Sequence, residues 1–413
     1  TMDDEATSPE SAHWRIRLKE ANASLWSWVE RWNDPKARRA VRAGVWTVRA
    51  LKWRERVVAY TANAQALRER AQESLGVLFS VAPFAQRTVS SNLTTRDEQN
   101  WAPPVPARAR IVANPVSGSM RGADGLSELR VTAIWLTEHG LPTEVTATAR
   151  VGHAVELARE AVAAGREMVI AAGGDGTLND VIQGLAGSTT ALGVLPMGTV
   201  NVWAREIGIP LGASEAREVL LHGVRRQVDL GRAGPRYFLL MAGVGFDAEV
   251  VKRVESNWLK RVGLKMLDYI ATAGTLGLTQ RPAKLILRIA GQQRKMSALM
   301  VVIGNTRLYG GAMQFTGRAV ADDGLLDIVV IGGGGWARRA GVFLRAFLRR
   351  PSLGPDARYE RARSVRLEST PPLLVQVDGD IVGSLPMTFS VAPGALWVIV
   401  PRAAPEQLFS RSA

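Results

Sequence analysis

Cysteine is absent from this 413-residue chain, and histidine is scarce, with four residues. Without a thiol there is no disulfide framework, no thiolate nucleophile and no cysteine-ligated metal, which fits a reducing compartment. His13, His139, His153 and His222 are too few and too scattered for a histidine-rich metal centre. No run of about 18 apolar residues exists, so no transmembrane helix is expected. The sequence begins Thr-Met-Asp-Asp-Glu, with no basic segment leading into an apolar one, so no secretory leader is expected either. The expected location is cytoplasmic, with any membrane contact peripheral. Also missing is a Gly-x-x-x-x-Gly-Lys-Ser/Thr element, which excludes a Walker-type phosphate loop.

Positive charge is abundant. The net charge of +14 calls for an anionic partner: a membrane, a phosphorylated substrate or nucleic acid. Much of it lies near the N-terminus. Asp34-Pro35 reads as a helix start. In the helix after it, Arg38, Arg42, Arg49, Lys52 and Arg56 fall in one band about 80° wide at 100° per residue. Residues 35–72 hold ten Lys/Arg against Glu55 and Glu69, and seven of the twelve Trp lie in the first 101 residues. Basic residues with interfacial Trp suit a helix lying on an anionic bilayer. A small helical bundle with a solvated basic face accounts for the pattern equally well. Nucleic acid is not expected, because no recognition motif accompanies the charge.

Residues 87–106 are polar and then proline-rich, which marks a linker. Strand and helix patterns then alternate: strands at 109–113, 143–147, 168–172 and 191–195, and helices at 126–138, 153–164 and 202–206. That order predicts an α/β domain with a parallel sheet. Beyond about residue 230 apolar runs follow one another over short turns, at 237–242, 283–289, 298–303, 326–331, 364–367, 373–377, 387–391 and 395–400. These predict a mainly antiparallel β domain, interrupted by helical insertions over 257–276 and 336–350. The expected organisation is a helical extension and linker at 1–106, an α/β domain at 107–230, a β-rich domain at 231–394, and a C-terminal return to the first domain at 395–413.

Three turns follow apolar strands: Asn114-Pro-Val-Ser117, Gly173-Gly-Asp-Gly176 and Pro196-Met-Gly-Thr-Val-Asn201. Ligands of parallel sheets sit at the strands' carboxyl ends. Glycine turns there expose backbone N–H groups at helix N-termini, where phosphate is stabilised. Taken alone, Gly173-Gly-Asp-Gly176 reads first as a tight turn with a solvated Asp; three such turns in one sheet argue for a shared anion site.

With these motifs the chain resembles the diacylglycerol kinase catalytic-domain family, which includes sphingosine kinases and soluble bacterial lipid kinases. The resemblance covers about residues 107–402. It rests on Gly173-Gly-Asp-Gly-Thr-Leu-Asn179 together with Pro196-Met-Gly-Thr-Val-Asn201, supported by Val228-Asp-Leu-Gly231, Asp323-Gly-Leu-Leu-Asp327 and Val377-Asp-Gly-Asp380. Gly-Gly-Asp-Gly-Thr is shared with NAD kinases and phosphofructokinases, so the other elements carry the distinction. The resemblance implies an NAD kinase-like α/β domain plus a β domain, and ATP-dependent phosphorylation of a lipid hydroxyl, with diacylglycerol or a sphingoid base as acceptor.

By resemblance, Gly173, Gly174, Asp175, Gly176, Thr177, Leu178 and Asn179 would cradle ATP. Gly198, Thr199 and Asn201 would line the same pocket, with Asn114, Ser117 and Thr148 flanking it. Magnesium would be held by Asp175 and Asp229. The family often places a third Asp where this chain has Val202. A structural magnesium would sit on the Asp323 side chain and the carbonyls of Val320 and Leu325. The base for the acceptor hydroxyl would be Asp380, or failing that Asp175. Without the resemblance, Asp378-Gly379-Asp380 is an ordinary hairpin turn.

Overall fold

The computed structural model describes residues 100–101, 103, 105–117, 123–246, 248 and 281–410, all within the compact unit Thr95–Ala413. The basic helix expected after Asp34-Pro35 and the insertion expected over 257–276 lie outside the described residues.

Five strands form the α/β part: β1 (Asn100–Trp101), β2 (Ala109–Ala113), β3 (Thr143–Ala147), β4 (Met168–Gly173) and β5 (Ala191–Pro196), in the spatial order β1-β3-β2-β4-β5. β2 to β5 are parallel, and β1 closes the edge antiparallel to β3. Every residue of β4 and β5 is buried. Their unbroken apolar runs are what a strand covered on both faces requires. The helices are α1 (Ala123–Glu138), α2 (His153–Ala163), α3 (Asp175–Leu185), α4 (Val202–Ile207) and α5 (Ala213–His222).

The rest is mainly antiparallel, as the run of apolar segments predicts. It comprises β6 (Val224–Ala233), β7 (Arg236–Phe238), β8 (Met241–Gly245), β9 (Ala283–Ile289), β10 (Gln292–Gly304), β11 (Leu326–Gly332), α6 (Trp336–Phe347), β12 (Ala357–Ala362), β13 (Ser364–Thr370), β14 (Leu374–Val377), β15 (Asp380–Ser384) and β16 (Met387–Val400). A second apolar core, including Phe238, Val301, Ile328, Leu367, Val375 and Phe389, lies among these strands. Among the described residues no helix is long and apolar enough to cross a membrane.

Two elements differ from the sequence pattern for identifiable reasons. The segments at 387–391 and 395–400 are one strand, β16, whose register shifts between Ala392 and Leu396. Pro393, which cannot donate to a ladder, and Gly394, at φ 58°, sit in that irregularity. The bent strand pairs antiparallel with β13 and β6 and in parallel with β5, through Trp397 and Val398, so one sheet runs through both parts. The single strand expected over 237–242 is instead split into β7 and β8. The intervening Leu239 and Leu240 donate their N–H groups to a side chain, Asp378.

Candidate active site

The three polar turns meet at the carboxyl edge of the parallel strands. Asn114 Nδ2 donates to Thr177 Oγ1 at 3.2 Å, and the Gly174 N–H donates to Ser117 Oγ at 3.0 Å. The second and third turns touch backbone to backbone. A Cβ built on Gly198 would lie 2.4 Å from Gly174 Cα, so the contact requires glycine. Asn201 fixes the third turn in the left-handed conformation that Asn tolerates, φ 52°. Its amide accepts from Gly198 N–H and donates to the Gly198 carbonyl, both at 2.9 Å. Thr148 lies beside them, its N–H bonded to the Ala113 carbonyl at the end of β2. Gly176 and Thr199 are exposed, whereas the side chains of Thr177, Leu178 and Asn179 are buried. Leu178 belongs to the core, and its N–H is bonded to the Gly174 carbonyl, so its side chain does not face a ligand.

α3 carries this edge to the β-rich part. Asn179 Nδ2 donates to Asp380 Oδ2 at 3.0 Å. One residue on, Asp180 pairs with Arg236 at 3.3 Å, and Arg236 also reaches Asp380 Oδ2 at 2.9 Å. One helical turn beyond Asn179, Gln183 binds the backbone of Tyr237 in both directions, each bond 3.0 Å. Burial pushes the Asp180 carboxyl up, and Arg236 opposes that shift. Sequence reasoning found Asn179 and Asp380 but missed Arg236 and Gln183. Their one available signal was Gln183 at i+4 from Asn179, which puts both on one helix face.

Asp378 reads in the sequence as a plain turn residue. It adopts φ 45° ahead of Gly379 at 94°. Its carboxylate accepts from the N–H groups of Leu239 (2.8 Å), Leu240 (3.1 Å) and Met241 (2.8 Å). Burial pushes this carboxyl up to about 7 despite those donors, and the charge of Asp175 adds to the rise. Glu206, on α4, is a second missed carboxylate. It is buried, accepts from the N–H groups of Arg307 (3.2 Å) and Leu308 (2.5 Å), and is raised to about 7 by burial.

Asp175 opens α3 and directs Oδ1 at the N–H of Val202, the first residue of α4, at 2.7 Å. Burial raises its carboxyl, and backbone donors from Val202 and Asn201 oppose this. A carboxyl oxygen beside the glycine turns is the kind of hard donor that a divalent cation takes. Besides that N–H, Val202 brings a buried apolar side chain and no third carboxylate. Asp229 stands elsewhere: its two oxygens accept from Gly324 N–H (2.6 Å) and Gly394 N–H (2.7 Å), and the acids that raise its carboxyl, after burial, are Asp323 and Asp322. The structure therefore sets the Asp229 carboxylate against the Asp323 loop. In that loop Asp323 Oδ1 accepts from Leu325 N–H, and Oδ2 pairs with Arg361. A magnesium on Asp323 and the carbonyls of Val320 and Leu325 would share the Asp323 carboxylate with Arg361. Among the described residues no group of three or more His, Asp or Glu side chains is arranged to hold a metal ion.

Two family models match. The diacylglycerol kinase catalytic domain covers residues 108–233, and the YegS C-terminal NAD kinase beta sandwich-like domain covers residues 241–400. A protein of Pseudomonas syringae pv. syringae (strain B728a) named "Probable lipid kinase YegS-like" is 36% identical over 272 residues, spanning 65% of this chain and 87% of the relative. A diacylglycerol kinase of Staphylococcus aureus (strain MRSA252) is 31% identical over 284 residues, spanning 68% and 89%. A crystal structure of a diacylglycerol kinase from Bacillus anthracis str. Sterne aligns with TM-score 0.57 at 21% identity, covering 72% of this chain and 98% of that one, and so shares its fold. With the glycine turns in contact and the α/β and β-rich parts joined in one sheet, these matches make the chain a member of the diacylglycerol kinase catalytic-domain family of lipid kinases.

Proposed function

We propose that the chain transfers the γ-phosphoryl group of ATP to the hydroxyl of diacylglycerol at a membrane surface, giving phosphatidic acid. The observation that carries this reading is the span of α3. Its N-terminal end forms the glycine turn with Gly198, and one turn later the same helix holds Asp380 through Asn179. A triphosphate on the turns and an acceptor hydroxyl at Asp380 would then share one rigid element, which is the positioning phosphoryl transfer needs. The names of the staphylococcal relatives favour diacylglycerol over a sphingoid base as acceptor.

The turns of residues 173–176 and 198–201 offer backbone N–H groups and a helix N-terminus to the phosphates. Both donors to Asp380 converge on Oδ2, which leaves Oδ1 for the acceptor hydroxyl. The hydroxyl oxygen bonds to the γ-phosphorus as the bond to the β–γ bridging oxygen breaks. ADP departs, and the hydroxyl proton passes to Asp380. A magnesium ion, when bound, would neutralise charge on the phosphates. Asp175 is the residue assigned to hold it, and Asp378 stiffens the neighbouring backbone.

The test is incubation with labelled ATP and either diacylglycerol, a sphingoid base or NAD. Label in phosphatidic acid is expected. Label appearing only in NADP would replace the lipid acceptor by a soluble nucleotide.

A further inference from the structure

α6 buries one side and leaves the other open. Val342 and Ala346 are buried, and Phe343 packs edge-to-face on Phe246 and Phe315 with centroids 5.6 and 5.5 Å apart. On the far side Leu344 is 57% exposed. Gly341, Leu344 and Leu348 follow at spacings of three and four, which lines them along one strip of the helix. With Pro351 and Ser352 they wall a surface cleft of about 560 Å³. Arg345 and Arg350 also line it, both exposed, and neither makes an ion pair with a described residue. α6 carries Arg338, Arg339 and Arg345 and no acidic residue. The acid that meets α6 is Asp356, 3.8 Å from Arg338.

We propose that this cleft is a docking site for an acidic phospholipid of the bilayer, distinct from the phosphoryl-transfer site. Apolar walls with two uncompensated guanidinium groups at the edge match an amphiphile with a short length of acyl chain inward and an anionic headgroup outward. A neutral lipid would leave both arginines without a counter-charge, and a soluble anion would leave the Leu344–Leu348 strip wet. An amphipathic basic helix is the common device for lying in an anionic interface. Here the helix is also tied to the β-rich part through its buried side, so docking would fix the orientation of that part on the membrane. The proposal rests on the lipid-kinase reading above for its biological setting, and its test reads binding rather than turnover.

The absence of cysteine makes the experiment direct. Leu344→Cys in the full chain introduces a single thiol for an environment-sensitive fluorophore. Its emission should shift to the blue with phosphatidylcholine vesicles containing phosphatidylglycerol, and not with phosphatidylcholine alone. Replacing Arg345 and Arg350 by Gln in the labelled chain should weaken that response about fivefold per arginine, about 25-fold together. Turnover of a dispersed short-chain diacylglycerol should not change, which also shows that the variant folds. No shift on anionic vesicles would overturn the proposal. So would a label already blue-shifted without vesicles, which would mean that the chain covers the strip itself. A chain that docked but phosphorylated no lipid would refute the proposed activity and leave the site standing.

Discussion

Asp380 and Arg236 meet at 2.9 Å, on the same carboxylate oxygen that Asn179 reaches from α3 at 3.0 Å. Arg236 is simultaneously anchored by Asp180, one residue after Asn179. The carboxylate assigned as base is therefore oriented from both parts of the molecule, and its orientation depends on α3 and the β6–β7 hairpin keeping their mutual position.

Removing the acceptor of the proton should be severe. Asp380→Asn is expected to lower kcat at least about a hundredfold, the usual range for a positioned general base. Near-normal kcat in that variant would move the role to Asp175. Arg236→Met should lower kcat by about tenfold while leaving KM for ATP unchanged, because Arg236 touches the base and not the glycine turns; Arg236→Lys should recover part of the loss. A rise in KM for ATP of similar size would mean instead that Arg236 serves the nucleotide.

The contact of the two glycine turns makes its own prediction. A methyl group on Gly198 would lie 2.4 Å from Gly174 Cα, and backbone cannot yield as a flexible side chain can. Gly198→Ala should separate the turns, raise KM for ATP about tenfold or more, and lower the thermal midpoint. Gly176→Ala meets open space and should be mild. Equal effects of the two substitutions on KM would contradict a role for the contact.

How far the sequence carried these conclusions differs between the two parts. The parallel strands were legible because β4 and β5 are buried along their whole length and are bounded by glycine or proline turns. That the turns share one place follows from strand order, and Gly174 against Gly198 bears it out. What the sequence hid were contacts between residues far apart in the chain. Asp378 reads locally as a hairpin residue, yet its carboxylate is what interrupts the strand at Leu239. Arg236 is one of many arginines until β15 is laid beside α3. Residues 387–391 and 395–400 read as two strands, and the sheet joins them across the irregularity at Pro393-Gly394. The resemblance assigns Asp229 and Asp323 to metals; the backbone N–H groups and Arg361 that also meet them are contacts the sequence does not show.

Asp378 supplies a stability test. Truncation to Ala would strand three N–H donors, those of Leu239, Leu240 and Met241, in a part-buried site. An unsatisfied buried donor costs about 1–3 kcal/mol. Some regain water, so a loss of about 3 kcal/mol in urea unfolding is expected for Asp378→Ala, with Asp378→Asn intermediate because it keeps one acceptor oxygen. A change below about 0.5 kcal/mol, the range of ordinary surface substitutions, would show that the donors find other partners.

Glu206 makes the sharpest pH prediction. It joins α4, the helix that follows Asn201, to the loop after β10 through Arg307 and Leu308. Burial raises its carboxyl from 4.5 to about 7 in the folded state. The folded chain therefore holds this proton over a range in which the unfolded chain has released it. Stability must then fall as pH rises from about 5 to about 7 and level off above, the reverse of an acid stabilised by a salt bridge. A shift of 7 − 4.5 = 2.5 units corresponds to about 3 kcal/mol across that window. Asp378, raised similarly, adds a slope of the same sign. The difference between the parent chain and Glu206→Gln isolates the one residue: the variant should lose its share of the slope, gaining relative stability toward about pH 8. Urea midpoints measured between about pH 5 and 8 decide the matter. Parallel pH profiles for the two proteins would mean that Glu206 stays ionised in the fold and that its two backbone donors outweigh its burial.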